Sequence, residues 1–199
     1  MTTHDWAASV GAGHLAEVRR RAQGLAPGGA LHLVLEVLAY AADEADALGS
    51  GRARVTLHGD GSVSVDDDGR GTETRLDDAG RPVRKPVMST PDLRFFGATD
   101  PPALPDGHAR RGISVVAALS TWLVHANRRA DGAWTQRYEH GVPVTGLVPV
   151  DPDGVTGTMV HFLPGVLVGP AVAALPVSEL GILARWPRLA VEIVDRRHG

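Results

Sequence analysis

A helical stretch with acidic and phenolic side chains set into its apolar pattern constrains this 199-residue chain more than any other feature. From Leu31 to Leu48 apolar residues recur at helical spacing among good helix formers, and Gly49 and Gly51 close the run. Glu36, Tyr40 and Asp43 stand at i, i+4 and i+7, so they share one face of that helix. A carboxyl and a phenol that share a helix face can serve as general base and acid if burial raises the carboxyl pKa toward neutrality.

The flanking sequence places this helix in a single α+β domain spanning 1–199. His14 to Ala22 has helical character, and Pro27-Gly28-Gly29 breaks it. Arg54 to His58 and Val63 to Asp66 alternate about Gly59-Asp60-Gly61, which predicts a hairpin. Asp67 to Arg111 is rich in glycine, proline and charge and predicts a long loop, lid-like over 72–111, with a short apolar patch at Phe95-Phe96. Ile113 to Leu119 predicts a buried helix. Strands are predicted at Trp122 to Asn127, Trp134 to Glu139, Thr145 to Val150, Thr158 to Leu163 and Ala190 to Val194, with a helix near Val177 to Ala184. Helices ahead of a run of strands imply a two-layer sandwich with helices on one sheet face. Residues 1–13 are expected to be flexible.

Composition narrows the function. With no cysteine there is neither a disulfide framework nor a thiolate metal site, and the N-terminus lacks the pattern of a signal peptide. A cytoplasmic protein is expected, with no membrane partner, since Val115 to Leu119 and similar apolar runs are too short to cross a bilayer. A net charge of −3 argues against a nucleic-acid partner. The nine histidines show no metal-binding spacing and are read as structural or exposed, His108 alone being placed where it could face a ligand.

Three segments together resemble the ATPase domain of the DNA gyrase B and topoisomerase IV family, a branch of the GHKL superfamily with a Bergerat-type mixed sheet. They are Leu31 to Ala45, the run Val63-Ser64-Val65-Asp66-Asp67-Asp68-Gly69-Arg70-Gly71, and Gly112 to Ser120. The third continues into Tyr138-Glu139-His140-Gly141-Val142-Pro143 and Thr156-Gly157-Thr158-Met159-Val160. The resemblance implies that Glu36 matches a general base toward water and Asp67 an acceptor from the adenine amino group. Gly71 matches a glycine against the base, and Thr158 a threonine completing the adenine site.

Other positions depart from the family pattern. Tyr40 stands where the family carries the asparagine that ligates magnesium, and a neutral phenol is a poor ligand for so hard an ion. The phosphate loop reads Gly107-His108-Ala109-Arg110-Arg111-Gly112, with Arg110 where a glycine lets backbone N–H groups approach phosphate. The lid lysines have no match, and Thr135 replaces a pocket-rim arginine that helps aminocoumarins bind. Phosphoryl transfer depends on positioned metal and cationic groups, so efficient ATP hydrolysis is not expected, nor is strand passage. The shortened N-terminal arm gives no support for homodimerisation.

The expectation is therefore a repurposed pocket without metal or other cofactor. ATP or ADP with magnesium remains the alternative occupant. The partner is a small heterocyclic or polycyclic molecule of specialised metabolism, with Glu36 as base and Tyr40 as acid or orienting donor in a cyclisation or isomerisation. Asp43, Asp67, Gly71, His108, Arg110, Arg111, Thr135 and Thr158 are the expected ligand-binding residues. Two other readings stay open: a nucleotide-binding pseudo-ATPase that regulates a partner protein, and a resistance protein that sequesters gyrase inhibitors.

Overall fold

A computed structural model describes residues 10–72, 75–76, 78, 82–83, 87–151, 154–169 and 172–198. Three helices open the chain: α1 (Ala12–Arg20), α2 (Ala22–Leu25) and α3 (Ala30–Leu48). The strands β1 (Gly51–His58) and β2 (Val63–Asp67) form the expected hairpin, followed by the small ribbon β3 (Arg75–Leu76) and β4 (Pro82–Val83). Then come α4 (Ile113–Leu119), β5 (Ser120–Arg129), β6 (Gly132–Glu139), β7 (Val142–Pro143), β8 (Val148–Pro149), β9 (Gly157–Pro164), α5 (Val177–Leu183) and β10 (Leu189–Arg196).

The α+β sandwich expected from the sequence is the one that forms. Its mixed sheet of eight strands runs β10-β1-β2-β9-β5-β6-β7 with β8 on β6, and β10 lies parallel to β1 while the other pairs are antiparallel. Helix α3 packs on β1, β2 and β10, and α4 packs on β5, β6 and β9. Strand β1 shows why one face is covered: Ala53, Val55 and Leu57 are buried, while Arg52 and Arg54 on the opposite face are exposed.

Helix α3 is apolar on nearly all sides and is accordingly sunk between the sheet and the elements around it. It stops at Gly49, whose φ of 91° is the left-handed conformation glycine adopts without strain. Immediately beyond, a side chain on Gly51 would stand 2.8 Å from the Ala45 Cβ, so glycine there lets helix and strand meet closely.

Strand registers lay three rows of side chains under the helices. Leu57, Val63, Phe162, Leu123 and Tyr138 form a deeply buried row. The next holds Val55, Val65, Val160, His125 and Gln136. In the third, register places Ala53 beside Asp67, and Thr158 beside Asn127 and Trp134. Polarity thus rises from row to row toward one end of the sheet, and the site lies at that end.

One expectation needs correction. Thr145 to Val150 is not a full strand: only Val148–Pro149 pairs with β6. Thr145 instead uses its carbonyl to accept from the Gln136 amide at 2.9 Å and its hydroxyl to accept from the Arg137 N–H at 2.9 Å, and Pro149 has no N–H for a ladder. The described parts of 72–111 consist mostly of turns and unpaired chain. They carry the β3–β4 ribbon and bury Met88, Phe95 and Leu104, and the Ser89 hydroxyl donates to the Gly141 carbonyl at 2.8 Å. Of the segment expected to be flexible, residues 1–9 lie outside the described residues, and Ala12 and Gly13 open α1.

Leu35 lies in α3 with no exposed surface. Leu35→Ala is expected to lower the unfolding free energy by about 2–5 kcal/mol, read from the urea midpoint at an unchanged m-value.

Candidate functional site

Glu36 is fully buried in the middle of α3. Its carboxylate accepts the backbone N–H of Arg111, and its second oxygen accepts that of Gly112 at 3.1 Å. Burial raises its pKa, against the pull of those two N–H donors and of His32, whose Nε2 lies 3.7 Å away. His32 is itself held by Asp106, with Nδ1 2.7 Å from the carboxylate. Burial would raise the Asp106 carboxyl, but the bond from His32 and the N–H of His108 hold it below the usual range.

One helical turn on, the Tyr40 hydroxyl donates to Asp92 at 2.9 Å and accepts the Ile113 N–H at 3.1 Å. Burial, aided by the Asp92 charge, raises the phenol pKa, so Tyr40 stays protonated. Asp92 is buried, which alone would raise its carboxyl, but the Arg94 guanidinium (2.7 and 3.0 Å) and the Tyr40 hydroxyl hold it below the usual range. Arg110 is buried as well. It pairs with Asp43 at 2.8 and 3.0 Å, and its guanidinium lies 4.5 Å from the Tyr40 ring centre and 4.1 Å from that of Phe95. Three successive backbone N–H groups at the start of α4, from residues 111 to 113, are therefore taken by Glu36 and Tyr40. The Gly107 and Arg110 N–H groups are taken by the Leu104 and Pro102 carbonyls.

At the strand side, Asp67 accepts the Thr158 hydroxyl, the Thr158 N–H at 3.2 Å and the Gly69 N–H at 2.9 Å. Its carboxyl pKa is raised by burial against these bonds. Gly71 has φ 76°, and a side chain there would meet the Arg128 carbonyl at 2.5 Å, so only glycine fits. Between this strand side and α3 lies a cavity of about 170 Å³. Val37, Tyr40, Met88, Ile113 and Val160 line it, with Thr72, Thr158, Arg94 and His125 as its polar residues.

The structure thus brings Tyr40 and Thr158 to one cavity, with Asp67 bonded to Thr158. Glu36 does not line it, and Asp43 and Arg110 form a pair beside it. Arg111 contributes its backbone N–H. His108 is exposed and borders a separate open depression with Asp106 and Glu179. Thr135 pairs with Ala126, one residue out of step with the His125–Gln136 pair, and so sits on the opposite sheet face. Asp92, Arg94, Thr72 and His125 were not singled out from sequence. Asp-x-Arg beside Phe95-Phe96 was the available signal for the first two, and a lone histidine between Val124 and Ala126 for the last. No group of three or more His, Cys, Asp or Glu suited to a metal occurs among the described residues, and no described helix is long and apolar enough to cross a membrane.

Comparison with known proteins accords with this architecture. The chain is 35% identical over 175 residues to the DNA gyrase B protein of Thermotoga maritima, covering 84% of this chain and 27% of that protein. It is 36% identical over 137 residues to the DNA topoisomerase 4 B protein of Staphylococcus epidermidis, covering 67% of this chain and 20% of that one. With the DNA gyrase B protein of Mycolicibacterium smegmatis it shares 40% identity over 114 residues, 56% of this chain and 17% of the relative. No family model matches the chain. It belongs with the ATPase-domain-like proteins of the gyrase B and topoisomerase IV B family, and its sheet and helices form their GHKL-type sandwich. It spans about a quarter or less of the length of these relatives.

Two outcomes follow from the charges and bonds at the site. Thr158→Val removes a hydroxyl from the half-buried Asp67 carboxylate and is expected to cost about 1–3 kcal/mol at neutral pH in urea unfolding. Burial lowers the His125 pKa from 6.5 to about 4. The unfolded chain therefore binds the extra proton between these values, and this group makes stability fall as pH falls through that window. His125→Leu is expected to become more stable relative to the wild type from pH 7 to pH 4.5, read as a growing difference in urea midpoint.

Proposed function

We propose that this chain is a small-molecule-binding protein of the cytoplasm. It would use the strand-side half of a gyrase B-like pocket and would not be an efficient ATP hydrolase. The observation that carries this reading is the occupation of the phosphate side by the chain's own groups. Anion binding at a helix start needs free N–H groups, and those of residues 111 to 113 are spent on Glu36 and Tyr40. The residues present also fit magnesium poorly. Tyr40 already donates to Asp92 and accepts from Ile113, while the Arg110 guanidinium lies against its ring.

What remains is a small cavity, mostly apolar, with a few hydroxyl and ring nitrogen groups on its wall and one guanidinium, that of Arg94, which is paired with Asp92. Such a lining suits a flat, uncharged heterocyclic or polycyclic molecule. If the site also catalyses a proton transfer, as in a cyclisation or isomerisation of specialised metabolism, Tyr40 is the donor at the cavity wall. Glu36 is the base behind it, reached only when the 111–112 turn opens. A second reading, an ADP- or ATP-binding pseudo-ATPase that regulates a partner, is favoured by one observation: the Asp67–Thr158 pair and the close turn at Gly71 are intact.

Calorimetric titration separates the two. The expected outcome is no magnesium-dependent binding of ADP or of a non-hydrolysable ATP analogue, alongside micromolar binding of a member of a panel of uncharged heterocycles and polycycles. Tyr40→Phe and Glu36→Gln are expected to change affinity for that ligand, or its turnover, by at least about threefold, a fraction of a kcal/mol. Magnesium-dependent nucleotide binding in the micromolar range would sink the reading.

A further inference from the structure

His125 takes no part in the hydrogen bonding that holds the site together. It projects from β5 under the helices, in the row where Val160 is its neighbour on β9 and Gln136 its neighbour on β6. Val160 offers it nothing polar. Gln136 is already committed, its amide N–H donating to the Thr145 carbonyl at 2.9 Å and its oxygen accepting the Tyr138 hydroxyl at 2.6 Å. Among the described residues no side chain or backbone group hydrogen-bonds the His125 ring, yet the ring lines the apolar cavity. An imidazole carries one donor and one acceptor, and in this half-buried side chain neither is taken up within the protein, so a ligand filling the cavity meets both. The partner to look for is therefore one that is not part of the chain.

We propose that His125 is the polar anchor of the cavity's ligand. One ring nitrogen accepts a hydrogen bond from a hydroxyl or ring N–H on an otherwise apolar, flat molecule, a phenol or an enol being the simplest fit. This rests on the small-molecule reading given above and narrows it to ligands bearing an acidic O–H or N–H donor. At neutral pH the ring is uncharged, because burial lowers its pKa to about 4, so an acceptor lone pair is available. The other ionisable groups on the cavity wall are Tyr40 from α3 and Arg94 from the segment before α4, and Asp92 engages both. An uncharged imidazole offers phosphate no charge, and its acceptor nitrogen selects for a ligand that carries a donor.

The test compares 2-naphthol with 2-methoxynaphthalene, which share a ring system but differ in the O–H donor. Both are titrated into the whole protein by calorimetry and by nitrogen-15 shifts of labelled histidine. The wild type is expected to bind 2-naphthol about tenfold more tightly, the size of one useful hydrogen bond, with the His125 ring nitrogens shifting for 2-naphthol alone. His125→Leu should abolish the preference while binding 2-methoxynaphthalene at least as well, and His125→Gln, which keeps an acceptor, should retain part of it. Equal binding of the two probes by the wild type overturns the anchor and leaves the small-molecule pocket standing, as does a preference that survives in His125→Leu. Failure of both probes to bind overturns the anchor and the pocket reading together. Should His125→Leu not fold, the nitrogen shifts in the wild type decide by themselves.

Discussion

The buried carboxylate of Glu36 is the constraint around which the site is arranged. A carboxyl without exposed surface is tolerated only if its oxygens are satisfied, and the N–H groups of Arg111 and Gly112 satisfy them. That bond fixes the start of α4 against the middle of α3. Because α4 runs directly into β5, it also sets how the long strands lie beneath both helices. Tyr40 repeats the attachment one turn later at Ile113. Two side chains of one helix thus do for the first turn of another what an anion or a capping side chain does elsewhere.

From this follows the shape of the remaining space. With the start of α4 pinned, Arg110 lies against Tyr40 and Phe95 and closes on Asp43, while Arg94 and Asp92 lock from the other side. Arginine suits this place because its flat guanidinium stacks on rings and still forks onto a carboxylate. The open volume is displaced toward the strands, where the three rows pass from leucine and phenylalanine to valine and histidine and then to aspartate and threonine. The cavity straddles the second and third rows, and this makes it mostly apolar with a few polar residues on its wall.

The relatives share the fold and are several times longer than this chain, so their names describe activities of larger proteins. Function has to be argued from the side chains present. Here the strand-side pair of Asp67 and Thr158 stands beside a helix-side network that consumes its own hydrogen-bonding capacity. A pocket so divided favours an occupant that touches the strands and makes no demand on the start of α4.

Local pattern determined much of this protein. The helical period of Leu31 to Leu48, the alternation of Arg54 to Asp66 about its glycine turn and the apolar run of Ile113 to Leu119 each specify an element from neighbouring residues. The i, i+4, i+7 spacing puts Glu36, Tyr40 and Asp43 on one face without help from any tertiary contact. Thr145 to Val150 misled because its apolar alternation competes with the demand of Gln136 and Arg137 for Thr145 as an acceptor, a demand visible only once β6 is in place. What tertiary structure alone decided is which of these groups remain free. Asp92 sits 52 positions from Tyr40 and the Ile113 N–H 73, and Val160 reaches His125 only through strand register. Whether a carboxylate, a phenol or an imidazole is spent inside the protein or left to face a cavity depends on such distant partners, and sequence spacing carries no record of them.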